Sequence, residues 1–141
     1  MTKQPNVADY IVQRLSREGI TDCFGVAGDF AFKLNDAVAR SKAIRWIGCS
    51  NELDAAYAAD GYARVRGCSM LCTTYAVGEL SALNGVMGAK AERSCVFHLV
   101  GMPTRWKTHD RSALAPITPL SADSSPTAYV VHSIEQPRTR A

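Results

Sequence analysis

The sequence predicts an α/β fold in which a parallel sheet is flanked by helices. Short apolar runs alternate four times with stretches whose apolar residues recur at helical spacing. This is the pattern of parallel strands joined by crossover helices. Glycines follow several of these segments, as is common where a helix or strand ends. The chain has 141 residues, enough for one domain at most.

The elements can be followed along the chain. The first helix carries Val7, Ile11 and Leu15 on one face. Asn6 is a suitable cap for it, and Gly19 a suitable stop. The predicted strands are short runs of apolar, small and β-branched residues. The predicted order is helix 7–17, strand 21–27, helix 30–40, strand 43–48, helix 52–66, strand 69–75, helix 79–93 and strand 95–100.

The last predicted helix, residues 79–93, contains two glycines. We expect it to turn four apolar side chains inward, namely Leu80, Leu83, Val86 and Met87. Gly85 and Gly88 each cost about 1 kcal/mol in a helix relative to alanine. Close packing against another helix or subunit explains them; a merely poor helix is the alternative.

The composition changes after Pro103. Residues 104–141 hold four of the six prolines and many Ser, Thr and Arg residues. They lack periodic patterning apart from the short apolar run 128–131. We therefore predict a domain over residues 1–103 and an irregular, disordered tail over residues 104–141.

Composition also limits the classes of partner. The net charge is only +3, and most of the excess lies in the tail, without a basic motif. Nucleic-acid binding is therefore not expected. The five cysteines form no Cys-x-x-Cys pair and the three histidines are scattered, so no metal site is predicted. The N-terminus has no apolar signal core and no segment is long enough to span a bilayer, so we expect a cytoplasmic protein with reduced thiols.

Two acids stand where ligands bind in open α/β sheets, at the ends of predicted strands. Glu52 follows the good caps Ser50 and Asn51 and opens an Ala-rich helix. A surface glutamate that stabilises the helix dipole is the plain alternative. Asp29 follows Gly28, where a helix-capping role is favoured by the residues alone.

Three segments together carry a resemblance to a known family. They are Val26-Ala27-Gly28-Asp29-Phe30, the run from Asn51-Glu52-Leu53 to Ala63-Arg64, and the run from Thr73-Thr74-Tyr75 through Val77-Gly78-Glu79-Leu80-Ser81 to Asn84-Gly85. In this order they resemble the thiamine diphosphate-dependent 2-oxo acid decarboxylases of the pyruvate and indolepyruvate decarboxylase group. The resemblance runs from about Val7 to Pro103 and then stops. It implies a flavodoxin-like, pyrimidine-binding domain that is incomplete.

The resemblance also implies roles for individual residues. Glu52 matches the glutamate that hydrogen-bonds the cofactor's aminopyrimidine ring. Asp29 matches an acid/base residue near the substrate carboxylate. Thr74 matches a residue that faces the cofactor, although an ordinary strand residue is its plain alternative. The family's Gly-Asp-Gly…Asn motif for the diphosphate and Mg²⁺ is absent, so the Mg²⁺ ligands are expected outside this chain. The family's His-His pair is also absent, and His109 stands alone.

We therefore expect the N-terminal part of a decarboxylase of a 2-oxo acid such as indolepyruvate or pyruvate, inactive alone. We expect it to assemble either as a homo-oligomer or with a complementing chain that binds the diphosphate. The abrupt change after Pro103 suggests a shifted reading frame in a truncated gene. Two alternatives remain: a free-standing subunit of a split decarboxylase, and a non-enzymatic α/β remnant or interaction module.

Overall fold

The computed structural model describes residues 6–102 and the backbone of residues 127–131. A 3₁₀ turn, Asp29–Ala31, precedes the second helix. The helices are α1 (Val7–Arg17), α2 (Phe32–Arg40), α3 (Glu52–Arg66), α4 (Val77–Ser81) and α5 (Leu83–Ala91). The strands are β1 (Asp22–Gly25), β2 (Arg45–Gly48), β3 (Cys68–Thr74), β4 (Cys95–Met102) and β5 (Thr127–Val131).

Helices α1 and α3 begin and end where the sequence predicts. Asn6 caps α1 by accepting a hydrogen bond from the Asp9 amide at 2.8 Å. Asn51 caps α3 in the same way, accepting from the Asp54 amide at 2.9 Å. Gly67 ends α3 at φ 98°, a left-handed conformation that favours glycine.

The sheet has the strand order β2-β1-β3-β4-β5. Strands β1 to β4 are parallel, so the predicted parallel sheet is confirmed. β5 pairs antiparallel with the outer edge of β4, from Thr127 opposite Met102 to Val131 opposite His98. These five residues therefore differ from the irregular tail that we predicted, because a β-branched and aromatic run can pair with an open strand edge. The rest of the predicted tail lies outside the described residues.

Helices cover both faces of the sheet. On one face, α1 and α2 pack their apolar side chains against Cys23, Met70 and Leu99. On the other face, the alanines of α3 pack against Phe24, Leu71 and Val96, together with small residues of α5. No described helix has both the length and the hydropathy to cross a membrane.

The predicted helix 79–93 is two helices, α4 and α5, joined at Ala82. The predicted inward position is confirmed for Val86, which packs against the apolar cluster under α3, but is wrong for Leu80, Leu83 and Met87, which are exposed by 66%, 46% and 55%. Small residues face α3 instead: a Cβ built on Gly85 would lie 2.5 Å from the Cβ of Ala56. The predicted close packing at Gly85 against another helix is therefore confirmed, whereas Gly88 has no such neighbour.

Candidate functional site

The three predicted site residues lie along the carboxyl edge of the parallel sheet. Glu52 is the first residue of α3, which follows β2. Thr74 is the last residue of β3, and Asp29 opens the 3₁₀ turn that follows β1. This edge is where open α/β sheets bind ligands.

The Glu52 side chain is half-buried against Gly78 of α4. A Cβ built on Gly78 would lie 3.0 Å from Oε1 of Glu52, so the carboxylate directly borders this glycine. The carboxylate also lies in the first turn of α3, where the helix dipole favours negative charge. Glu52 is thus both a dipole-stabilising acid and a close neighbour of the Gly78 backbone.

The Thr74 side chain borders the same glycine. The Cβ position of Gly78 lies 2.6 Å from Oγ1 of Thr74. On its other side, the methyl carbon Cγ2 of Thr74 lies 2.5 Å from the Cβ position of Gly28. The structure therefore brings Glu52 and Thr74 together at one point, with glycine backbone between them.

Asp29 is exposed on the same edge, and its predicted helix-capping role is wrong. Asp29 is itself the first residue of the 3₁₀ turn, and α2 begins after Ala31 without a side-chain cap. The neighbouring Phe30 holds this turn in place, because its ring lies 5.0 Å from the ring of Tyr75 in an edge-to-face contact. The Asp29 carboxylate is therefore free to face solvent or a ligand.

A strained residue joins β3 to α4. Ala76 adopts φ 59° and ψ −111°, a conformation that costs a non-glycine residue about 1–3 kcal/mol. This turn reverses the chain so that Gly78 comes back beside Thr74. Sequence reasoning missed both residues; the glycine before Glu79 in the shared motif was the available signal for Gly78.

Buried polar and thiol groups lie behind this edge. Oγ1 of Thr73 and Nε2 of His98 are 2.9 Å apart inside the sheet, and burial lowers the pKa of His98 to about 4. Burial raises the pKa of the Cys72 thiol to about 12, so Cys72 is no nucleophile at neutral pH. Among the described residues, no group of three or more His, Cys, Asp or Glu side chains is arranged to hold a metal ion.

A carboxylate and a hydroxyl group, from Glu52 and Thr74, converge on the backbone of Gly78. These groups can accept or donate hydrogen bonds at the rim of a heteroaromatic ring. Glu52 and Thr74 are therefore candidate contacts for a polar ligand at this edge of the sheet.

Comparison with known proteins agrees with this geometry. A family model described as "Thiamine pyrophosphate enzyme, N-terminal TPP binding domain" matches residues 5–124, so the match extends beyond Pro103. Over 108 residues the chain is 46% identical to an alpha-keto-acid decarboxylase of Mycobacterium tuberculosis (strain ATCC 25618 / H37Rv) and 47% identical to one of Mycobacterium avium (strain 104). Each match covers 77% of this chain but 19% of the relative, so the chain spans about a fifth of the length of these relatives.

Proposed function

The chain belongs to the thiamine pyrophosphate enzymes, as their N-terminal cofactor-binding domain, and on that premise we propose that it is the pyrimidine-binding part of a 2-oxo acid decarboxylase. The named relatives are alpha-keto-acid decarboxylases, which supports this reaction class. Indolepyruvate and pyruvate are the proposed substrates, following the resemblance of the signature segments.

The observation that carries this proposal is the position of Glu52 beside the bare backbone of Gly78. A carboxyl group at a half-buried edge is suited to a hydrogen bond with a ring nitrogen, because such bonds strengthen where water is excluded. The Thr74 hydroxyl group lies beside the same glycine, and we propose that it contacts the same ring.

Thiamine diphosphate, when bound, would supply the electron sink that decarboxylation of a 2-oxo acid needs. The chain's own residues hold and move protons around it. Glu52 would hold the pyrimidine ring through a hydrogen bond in which its carboxyl group shares a proton with a ring nitrogen. Asp29, exposed on the same edge, acts as an acid/base group toward the substrate side.

The other half of the site is proposed to come from a partner. The described residues contain no metal-ligand cluster, and we assign the Mg²⁺ and diphosphate ligands to a second copy of the complete enzyme or to a complementing chain. The exposed apolar side chains Val77, Leu80, Leu83 and Met87 on α4 and α5 support such a contact. The five free thiols support a cytoplasmic location.

A chimera tests this function. The matching 108-residue segment of the M. tuberculosis relative is replaced by the corresponding segment of this chain, and 2-oxo acid decarboxylation is measured with thiamine diphosphate and Mg²⁺. We expect turnover, and we expect Glu52→Gln to lower kcat by about 100-fold or more, because the amide cannot share a proton with the ring.

Glu79→Gln is the matched control. Glu79 is also a half-buried glutamate in the first turn of a helix, and its amide variant should retain kcat within about threefold. A Glu52→Gln chimera as active as the Glu79→Gln chimera would refute the assignment of Glu52.

A further inference from the structure

Two glycines enclose the Thr74 side chain from opposite sides. Gly28 borders its methyl group and Gly78 borders its hydroxyl group, with Cβ positions only 2.5 and 2.6 Å away. Real Cβ atoms do not approach other heavy atoms so closely, so neither glycine accepts a side chain unless Thr74 moves. We refer to Gly28, Thr74 and Gly78 as the threonine clamp.

Conformation does not require glycine at either position. Gly28 has φ −146°, an extended conformation that any residue adopts. Gly78 lies within α4 without a positive φ, and alanine is the better helix former there. Space alone therefore requires glycine at both positions.

The clamp reaches Glu52 through Gly78. Oε1 of Glu52 and Oγ1 of Thr74 both lie within 3.0 Å of the Cβ position of Gly78, so one methyl group there would displace both oxygens. Thr74 has a short, β-branched side chain at the end of a central strand and cannot retreat freely, whereas the carboxylate at the far end of the Glu52 side chain would have to shift by a few tenths of an ångström.

We infer that Gly78 is a positioning residue that sets the distance and orientation of the Glu52 carboxylate and the Thr74 hydroxyl, with Gly28 holding the threonine from behind. The role of this spacing in cofactor binding rests on the proposed function. The spacing itself rests on these contacts alone, and together they connect residues of all three signature segments.

The experiment compares Gly78→Ala with Gly61→Ala in the full chain. Gly61 also lies in a helix, and nothing lies within 4 Å of its Cβ position. Carbon-13 NMR of the Thr74 methyl and the Glu52 carboxyl reports the site without any cofactor. We expect Gly78→Ala to shift both signals, and Gly61→Ala to leave both unchanged.

A double variant covers the case in which Gly78→Ala does not fold. Thr74→Ala removes the hydroxyl that the new methyl group would meet, so Gly78→Ala combined with Thr74→Ala should recover cooperative folding. Recovery supports the clamp. Failure to recover, or unshifted Thr74 and Glu52 signals in a folded Gly78→Ala chain, overturns it.

The chimera separates this inference from the proposed function. There, Gly78→Ala should raise the thiamine diphosphate concentration for half-maximal activity by about tenfold or more, and Gly61→Ala should leave it within about twofold. Displaced NMR signals with unchanged cofactor dependence would overturn the positioning role. Full activity of the Glu52→Gln chimera would instead refute the proposed function and leave the displaced signals as evidence for the clamp.

Discussion

His98 lies inside the sheet on the face that α3 and α5 cover, and its neutral form is part of the fold. Its register partner Leu71 belongs to the apolar cluster of that face. Burial lowers the pKa of His98 to about 4, whereas an unfolded chain has a histidine pKa of about 6.5. The unfolded state therefore binds more protons between these values.

The free energy of unfolding should consequently decrease as the pH is lowered from the pKa of His98 in the unfolded chain toward its pKa in the folded chain. The contribution of neutral His98 is fully present above about pH 6.5 and is lost as the pH falls toward about 4, at a cost of about 3 kcal/mol. Urea unfolding across this window measures the loss. His98→Gln keeps a partner for the Thr73 hydroxyl but does not titrate, so its stability should vary less with pH. The same pH dependence in both proteins would contradict this account.

At the residue scale, the sequence predicted where the candidate site residues lie better than it predicted which other residues they contact. The cap at Asn51 placed Glu52 at a helix start, and the structure confirms that position. Nothing in the spacing indicated that Gly78 would border both Glu52 and Thr74, because that contact depends on three distant segments meeting. The strained turn at Ala76 was equally hidden, since alanine is uncommon at positive φ.

At the scale of elements, periodicity predicted α1 and α3 and the four parallel strands. It was wrong for most of the predicted inward face of α4 and α5, where Leu80, Leu83 and Met87 are exposed and small residues are buried, although Val86 packs inward as predicted. A helical pattern shows that one face is apolar but not whether the covering partner belongs to the same domain. Here α3 packs against the small residues of α4 and α5, and no described residue covers the exposed large apolar side chains of these helices.

That apolar face should cause self-association of the chain. Leu80→Lys combined with Met87→Lys places charges on it, and should shift the chain toward monomer in sedimentation while changing the free energy of unfolding by less than about 0.5 kcal/mol. Val65→Lys is the control, because Val65 is 82% exposed near the end of α3 and is not on α4 or α5. A monodisperse wild-type monomer, or an equal effect of Val65→Lys, would contradict the prediction.

At the scale of the whole molecule, the parallel sheet brings the three signature segments to one edge. The fold class and the family followed from the sequence, whereas the pairing of β5 with β4 did not, because a short apolar run in a Pro-rich tail has no partner that sequence alone identifies. Disorder of the remaining tail stays a prediction.

The chain spans 19% of its relatives, and the described part lacks a metal-ligand cluster. An unanchored cofactor forfeits much of the rate advantage that proximity provides. We therefore expect this chain to supply Glu52 and the pyrimidine side of the site, and a partner to supply the remainder.

Carbon dioxide release from a 2-oxo acid, with thiamine diphosphate and Mg²⁺ present, tests this claim most directly. The 141-residue chain alone should release none above background. Turnover should appear when the remaining part of the M. tuberculosis relative is added as a separate chain, and Glu52→Gln should abolish it. Turnover by the isolated chain, or full activity of the complemented Glu52→Gln variant, would contradict the account.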